Sequence, residues 1–270
     1  MTALRDDQLP DGTLLLRSNL LESQGFPHAF STAIGPEGRC FDLSRPGYSP
    51  LDTPEHQLQL DIERFASEVV PGAILSSPRQ VHGVEIVDAC MADDASADAT
   101  CTSNPERIAA IRTADCVPIL LACPKRNEVV AIHAGWRGLV ADAPGAAIRL
   151  LVSRGSDPSL LIAAIGPAIG LSAFEIGEEV AEEFERSGLA DAVHPGTPRP
   201  HGDLHLAARQ RLLKAGLSPS GIDGEPACTA SSPRFFSHRR SQGRTGRHLA
   251  AITPRRRAGS EPPDLPICRQ

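Results

Sequence analysis

Short runs rich in Val, Ile and Leu, each bounded by turn residues, most constrain the fold of this 270-residue chain. Such runs predict half-buried or fully buried strands, and they lie near residues 13–17, 84–88, 117–122, 128–133 and 160–165. Apolar residues at helical spacing predict helices at 55–69, 138–154, 176–187 and 203–215. The last of these opens on Asp203, a residue type that caps helix N-termini, and stops before Gly216. The sequence therefore predicts a fold of mixed strands and helices.

Three residues with metal-binding side chains lie at the ends of apolar runs. They are His82 in QVHGVEIV, Cys116 in RTADCVPILLA and His133 in EVVAIHAGWRG. A thiolate and two neutral imidazoles are a ligand set that suits Zn²⁺, and three protein ligands leave a fourth tetrahedral position open. Their intervals of 34 and 17 residues match no compact zinc-finger pattern. A metal site is therefore predicted only if the three residues converge in space.

The sequence around these residues resembles that of one family, the YfiH-like proteins, which have been named multicopper polyphenol oxidoreductases, purine nucleoside phosphorylases and peptidoglycan editing factors. The matching segments are QVHGVEIVDA (80–89), RTADCVPILLACP (112–124), VVAIHAGWRGLVA (129–141), IGPAIGLSAFEIGEEV (165–180), GDLHLAARQRLLKAGL (202–217) and ACTASSPRFFSHRRSQGRTGRHLAAI (227–252). The resemblance implies an α+β fold in which mixed β-sheets are sandwiched by helices in a single YfiH-like domain. It also implies that His82, Cys116 and His133 are metal ligands, for Zn²⁺ or alternatively Cu²⁺.

The chain departs from the family pattern at two places. Near the N-terminus the family usually has H-G-F-F-T-R-x-G-G followed by S-L-N, whereas this chain has HAFSTAIGPEG (28–38) and FDLS (41–44). The Arg of that phrase aligns with Ala33, and Arg39 is the candidate to reach the same space. Ala168 stands in IGPAIG, where many relatives have Cys. These changes concern substrate preference and activity more than the fold or the metal.

Length and composition favour one domain with two tails. We predict tails at 1–12 and 253–270, the second mobile because it is rich in Pro and Arg, and a catalytic domain at 13–252. The net charge of −6 supplies no global basic field for nucleic acid or an anionic membrane. The apolar runs are shorter than the ~20 residues that span a bilayer, and residues 1–12 hold no apolar signal region. We therefore expect a cytoplasmic protein with no nucleic-acid or membrane partner.

The seven cysteines include no C-x-x-C pair. This pattern argues against a disulfide framework and for reduced thiols. We predict that Cys116 is the cysteine used in chemistry, and that Cys123, which lies in the same apolar run, is a packing residue.

Five further residues are candidates for catalysis or substrate binding. Asp115 precedes the Cys ligand, and it can orient a His, act as a general base, or cap a turn. In HAGWRG, Trp136 offers an aromatic plate or a core residue, and Arg137 offers a fork for phosphate or a structural ion pair. Arg112 and Arg247 are predicted substrate contacts, and the alternative for both is a solvated charged face.

The resemblance implies phosphorolysis of adenosine, inosine and methylthioadenosine, and deamination of adenosine. Zn²⁺ with an open position lowers the pKa of bound water toward ~7, which suits deamination. Nearby arginines would stabilise phosphate as the nucleophile in phosphorolysis. The leading hypothesis is therefore a zinc-dependent purine nucleoside enzyme that binds nucleoside and phosphate, as a monomer or a homodimer.

Three other hypotheses stay open. One is an amidase that edits peptidoglycan precursors, with Cys116 as nucleophile and a His as its base. Another is a laccase-like phenol oxidase, which needs more histidines, for instance His201, His205, His238 and His248. The third is a non-catalytic protein that zinc stabilises for interaction with a partner. Metal stoichiometry separates the first from the leading hypothesis, because a zinc-bound thiolate is not free to attack.

Overall fold

The computed structural model describes residues 4–224 and 227–256, and in it two six-stranded mixed sheets carry helices on their outer faces. The first sheet has the order β1 (Arg5–Gln8), β2 (Leu14–Arg17), β3 (His28–Ser31), β14 (His248–Ile252), β7 (Arg107–Thr113), β4 (Ile74–Ser76). The second has the order β13 (Ile222–Asp223), β10 (Ile162–Ile165), β8 (Val117–Cys123), β9 (Glu128–Ala134), β6 (Ala99–Thr102), β5 (Ile86–Asp88). A small hairpin pairs β11 (Val193–His194) with β12 (His201–Gly202).

The helices are α1 (Asn19–Ser23), α2 (Glu55–Val69), α3 (Trp136–Val140), α4 (Ala143–Ser153), α5 (Glu178–Arg186) and α6 (Leu204–Lys214). Of these, α2 packs on the outer face of the first sheet. Helices α4, α5 and α6 cover the outer face of the second sheet. The predicted α+β fold, with mixed sheets sandwiched by helices, is confirmed.

Strand alternation divides the apolar side chains among three core layers. In β8, Leu120 and Ala122 face the core between the two sheets, whereas Ile119 and Leu121 face the helices. In β9, Ala131 also faces the core between the sheets. Because side chains on a strand alternate, both faces of the central strands are buried, which explains their nearly continuous apolar sequences.

Three of the four predicted helices match closely, since 55–69 is α2, 176–187 contains α5 and 203–215 contains α6, and the fourth is divided. Residues 55–69 form α2, and Asp203 caps α6 by accepting a hydrogen bond from the Leu206 N–H at 2.9 Å. The predicted helix at 138–154 is instead α3 followed by α4, because Asp142 adopts a left-handed backbone with φ of 64°. The Asp142 side chain then caps α4 at Gly145.

Among the described residues, sequence patterns missed seven of the twelve strands in the two sheets, namely β1, β4, β13 and the four strands whose sequences follow. Strands β3, β6, β7 and β14 read HAFS, ATCT, RIAAIRT and HLAAI. Ala, Thr, His and Arg supply most of these residues, so the β-branched signal is weak. Their strand conformation comes from pairing with neighbours and from burial on both faces.

The sheet begins before the predicted domain boundary at residue 13. Strand β1 lies inside the predicted tail 1–12 and pairs with β2, with Arg5 opposite Arg17. At the other end, the buried Thr253 donates through Oγ1 to the Arg107 carbonyl oxygen at 2.9 Å, so the packed chain extends past residue 252. The rest of the predicted C-terminal tail, 257–270, lies outside the described residues. Among the residues described, no helix combines the length and apolarity needed to cross a membrane.

Candidate metal centre and cavity

The structure brings His82, Cys116 and His133 together, and we call these three residues the metal cluster. One ligand atom from each lies within 4.8 Å of the others. The Cys116 Sγ atom and the His82 Nε2 atom are 3.9 Å apart, and the two imidazole rings meet edge to face with centroids 4.9 Å apart. A sulfur and two imidazole nitrogens at this spacing fit a zinc ion, and His82 is exposed, so the cluster opens to solvent.

Strand pairing explains why Cys116 and His133 are neighbours. Cys116 directly precedes β8, and His133 is the next-to-last residue of β9. The strands are antiparallel with Pro118 opposite His133, so the start of one meets the end of the other. Gly135 then leaves room for the cluster, because a Cβ atom there would lie 3.0 Å from the Cys116 sulfur.

Asp98, a residue that sequence analysis did not select, organises two of the three cluster residues. Its Oδ1 atom accepts from His133 Nδ1 at 2.8 Å and from the His82 backbone N–H at 2.9 Å. Its Oδ2 atom accepts from the backbone N–H groups of Gly83 at 2.6 Å and Val81 at 3.3 Å. Because the carboxylate holds the proton on Nδ1, Nε2 is the nitrogen that His133 offers to a metal.

Electrostatics favour a thiolate at Cys116. Burial raises the pKa of this thiol, but the positive charge of His133 and hydrogen bonds from His133 and His82 lower it to about 6. Burial lowers the pKa of His133, whereas the Cys116 charge and the hydrogen bond to Asp98 raise it to about 9. Without a metal the pair is therefore a thiolate and an imidazolium, and a metal ion would displace the proton between them.

Asp115 anchors a loop beside the cluster. Its Oδ1 atom accepts from Thr229 Oγ1 at 2.5 Å, and its Oδ2 atom accepts from Ser237 Oγ at 3.0 Å and from the Arg239 backbone N–H at 2.7 Å. Only the last of these bonds caps a backbone N–H, and the other two tie the carboxylate to hydroxyl side chains. Orientation of a cluster histidine, one of the other two roles considered for Asp115, is performed by Asp98.

A cavity of about 590 Å³ opens over the cluster. This volume lies in the range of small-molecule sites. Asp115 is the sole carboxylate among its lining residues, whereas five arginines line it: Arg45, Arg79, Arg112, Arg239 and Arg247. Within the described part of the chain, none of these arginines forms an ion pair with a carboxylate. The cavity is therefore strongly cationic and suited to an anionic ligand.

The predicted substrate residues divide between the cavity and its surroundings. Arg112 and Arg247 line the cavity, and their contact with a substrate stays a prediction. Trp136 and Arg137 do not line it: Trp136 packs against the core on the helix side of the second sheet, and the exposed guanidinium of Arg137 lies 4.3 Å from its ring. Arg39 is also outside the cavity, because it pairs with Asp61 on α2. Trp136 and Arg137 therefore lie apart from the cavity over the cluster.

The additional histidines considered for a copper oxidase do not join the cluster. His238 lines the cavity, but His248 accepts the Phe236 backbone N–H at 2.9 Å, and His205 Nε2 contacts the Gly166 carbonyl oxygen at 3.3 Å. His201 lies in the small hairpin. Over residues 4–224 and 227–256, the metal cluster is the one group of three potential metal ligands.

Sequence reasoning missed several cavity residues besides Asp98. Arg45, Arg79, Gln80 and Tyr48 come from segments with no regular secondary structure. Polar residues in such segments resemble ordinary loop residues, and only their position beside the strand ends distinguishes them. Gln80 could have been found, because it lies two residues before His82 in the same motif.

Comparison with known proteins agrees with this architecture. A family model described as multi-copper polyphenol oxidoreductase laccase matches residues 46–255. A Xylella fastidiosa (strain 9a5c) protein named purine nucleoside phosphorylase is 43% identical over 180 residues, covering 63% of this chain and 68% of that protein. Purine nucleoside phosphorylase YfiH of Escherichia coli (strain K12) is 35% identical over 249 residues, covering 86% of this chain and 95% of that protein.

Solved structures extend the match to nearly the whole chain. YlmD from Geobacillus stearothermophilus has a TM-score of 0.81 at 28% identity and covers 94% of this chain and 100% of that one. The hypothetical protein YfiH of Bacillus licheniformis has a TM-score of 0.80 at 24% identity and covers 93% of this chain and 99% of that one. The second similarity concerns the fold alone.

Proposed function

Because the chain belongs to the multi-copper polyphenol oxidoreductase laccase family, and its relatives include proteins named purine nucleoside phosphorylases, we propose that it is a zinc-dependent purine nucleoside phosphorylase. The proposed substrates are adenosine, inosine and methylthioadenosine, and we include deamination of adenosine as a second activity. One observation carries the proposal: an open cluster of one thiol and two imidazoles lies in a cavity lined by five arginines.

The residues divide the chemical tasks among themselves. A zinc ion held by the cluster would supply Lewis-acid chemistry at neutral pH. In phosphorolysis, a phosphate oxygen forms a bond to the ribosyl C1′ as the C1′–N9 bond breaks, and the purine leaves with that electron pair and takes up a proton. The cavity arginines bind and orient the phosphate. Phosphate and nucleoside then react as two bound molecules rather than by random collision.

Two carboxylates position this machinery. Asp98 keeps the Nδ1 proton on His133 and fixes the loop that carries His82. Asp115 holds the loop that carries Arg239 against the cavity. We assign both carboxylates to positioning, since each already accepts hydrogen bonds through both of its oxygens.

The test combines metal content with product analysis on one purified sample. Elemental analysis is expected to give about one zinc per chain, the stoichiometry of one three-ligand site. Chromatography after incubation with inosine should show hypoxanthine only when phosphate is present, and incubation with adenosine should also show inosine.

A matched pair of cysteine variants then connects the metal to the activity. Cys116→Ala should lose zinc and products together, whereas Cys123→Ala, at a buried cysteine of the same strand run, should retain both. Phosphorolysis by a metal-free Cys116→Ala protein would overturn the mechanism.

A second candidate function rests on the contact between Cys116, His133 and Asp98. A thiolate next to an imidazolium whose Nδ1 is held by a carboxylate is the arrangement of a Cys nucleophile, its base and the residue that orients the base. The proposed alternative is an amidase that edits peptidoglycan precursors. The thiolate attacks the amide carbon, the amine leaves with the proton from His133, and water then hydrolyses the thioester.

Alkylation distinguishes the two candidates. Purified protein that contains no zinc and loses amidase activity when iodoacetamide modifies Cys116 would favour the amidase. Zinc that protects Cys116 from iodoacetamide while nucleoside products form would favour the phosphorylase.

A further inference from the structure

Arg112 places unpaired guanidinium nitrogens at the cavity. Its Nε atom donates to the Leu43 carbonyl oxygen at 2.8 Å. Across the described ranges 4–224 and 227–256, its two terminal nitrogens have no hydrogen-bond partner. A partly buried guanidinium without a partner keeps donors available for a ligand, because such groups in a folded protein are normally hydrogen-bonded or paired.

A second cation faces this group. Arg45 lines the same cavity, and burial followed by the charge of Arg45 lowers the pKa of Arg112 to about 10. Arg112 therefore remains protonated at neutral pH. The charges of Asp93 and Asp42 act on it in the opposite direction to Arg45, but neither of these carboxylates lines the cavity that the two arginines share. An anion placed there would relieve this repulsion and gain bonds from both guanidinium groups.

Both cations are held in position by the surrounding chain. Gln80 grips the backbone of Arg112 twice: its Oε1 atom accepts the Arg112 N–H at 2.7 Å, and its Nε2 atom donates to the Arg112 carbonyl oxygen at 2.6 Å. Arg45 Nη2 donates to the Asp93 carbonyl oxygen at 2.6 Å. Because these bonds use backbone atoms or carbonyl oxygens, they fix the arginines without neutralising them.

We propose that Arg112 and Arg45 form an oxoanion subsite that binds the inorganic phosphate used in the reaction. This inference rests on the proposed phosphorylase function and assigns the phosphate to two named residues of the cavity. Gln80, which holds the Arg112 backbone, lies two residues before His82 in the chain. The subsite and the metal cluster line the same cavity.

The first test is direct binding, which does not depend on turnover. Calorimetric titration of the zinc-loaded protein with inorganic phosphate is compared for wild type, Arg112→Gln, Arg112→Lys and Arg45→Gln. Loss of a charge-assisted hydrogen bond predicts a ~10- to 100-fold weaker phosphate affinity in Arg112→Gln. Arg112→Lys should lie between that variant and wild type, because lysine keeps the charge but not the fork. Arg186→Gln removes the same charge from an exposed position on α5 and should bind phosphate like wild type.

The second test separates phosphate from nucleoside in steady-state kinetics. Arg112→Gln should raise the KM for phosphate by the same factor as the affinity loss, with the KM for inosine close to that of wild type. If Arg112→Gln does not fold, as judged by zinc content and thermal melting, Arg45→Gln provides the same comparison. An unchanged phosphate KM in a folded, active variant overturns the subsite and leaves the proposed function standing.

Two other outcomes have equally definite meanings. If wild type binds phosphate in an Arg112-dependent manner but forms no products, the subsite is supported and the phosphorylase function fails. If wild type binds a nucleoside 5′-monophosphate through Arg112 but does not bind inorganic phosphate, the subsite serves a phosphate ester and its assignment to free phosphate is overturned.

Discussion

Exchange of Asp98 for Asn removes one charge from beneath the metal cluster and leaves the size of the side chain unchanged. In the wild type, one oxygen serves His133 and the His82 backbone, and the other serves the Gly83 and Val81 backbone. An amide presents an oxygen to one of these pairs and an NH₂ group to the other. Two of the four hydrogen bonds are therefore lost in either orientation, because a donor then faces donors.

Either orientation weakens metal binding. With the NH₂ group toward His133, the ring loses the acceptor that fixes its Nδ1 proton; with the NH₂ group toward Gly83, the loop that carries His82 loses its anchor. Removal of such a supporting group typically weakens metal affinity ~10- to 100-fold, which is ~1.4 to 2.7 kcal/mol. We expect the zinc affinity of Asp98→Asn to fall within this range.

Competition with a chromophoric zinc chelator measures this affinity, and circular dichroism confirms that the variant is folded. Asp203→Asn is the matched control, since its carboxylate accepts one backbone N–H at the start of α6 and Asn also caps helices. The control should bind zinc like wild type. An Asp98→Asn protein with wild-type zinc affinity would refute the view that Asp98 supports the metal site.

Three further outcomes are expected. Gly135→Ala should lose zinc and remain folded, because the new Cβ would lie 3.0 Å from the cluster sulfur, whereas Gly138→Ala meets atoms no closer than 3.5 Å and should retain zinc; equal zinc content in both variants would contradict this. Burial lowers the pKa of His28 to about 4 and of His248 to about 3, so below ~6.5 the unfolded chain binds protons that the folded chain does not. The free energy of unfolding from urea titrations should therefore fall as the pH drops from ~6.5 toward ~4, by ~1.4 kcal/mol per pH unit for each histidine, and a constant value would contradict it. Arg137→Ala should keep the zinc content of wild type and its KM values for phosphate and inosine, since this side chain is exposed and does not line the cavity. A large rise in either KM would restore the predicted substrate role of Arg137.

The sequence alone determined the parts of the protein that depend on local pattern. Helix α2 follows from apolar spacing, and the cap at Asp203 follows from residue type. The three cluster residues were recognisable because each lies at one end of an apolar run of the kind that forms strands, and side chains near strand ends reach a common cleft. Arg112 and Arg247 were recognisable because their motifs resemble one family.

Only the tertiary structure decided which of these residues meet, and with what. Asp98 lies in the acidic, Ala-rich segment DDASADAT, which is typical of a solvated surface, yet it is fully buried where the chain enters β6 between β9 and β5 of the second sheet. Arg45 and Arg247 come from distant segments, and Asp42 brings them together by accepting the Arg247 backbone N–H at 3.0 Å while fixing the neighbouring Ser44.

Trp136 shows that a sequence motif can also point to a residue that the tertiary structure places outside the cavity. Its motif suggests a ligand contact, but the start of α3 turns its ring toward the helix side of the second sheet. Periodicity reports which face of one element is apolar. It does not report which elements pair or in what register, and in this protein the pairing of β8 with β9 decides that Cys116 and His133 form one site.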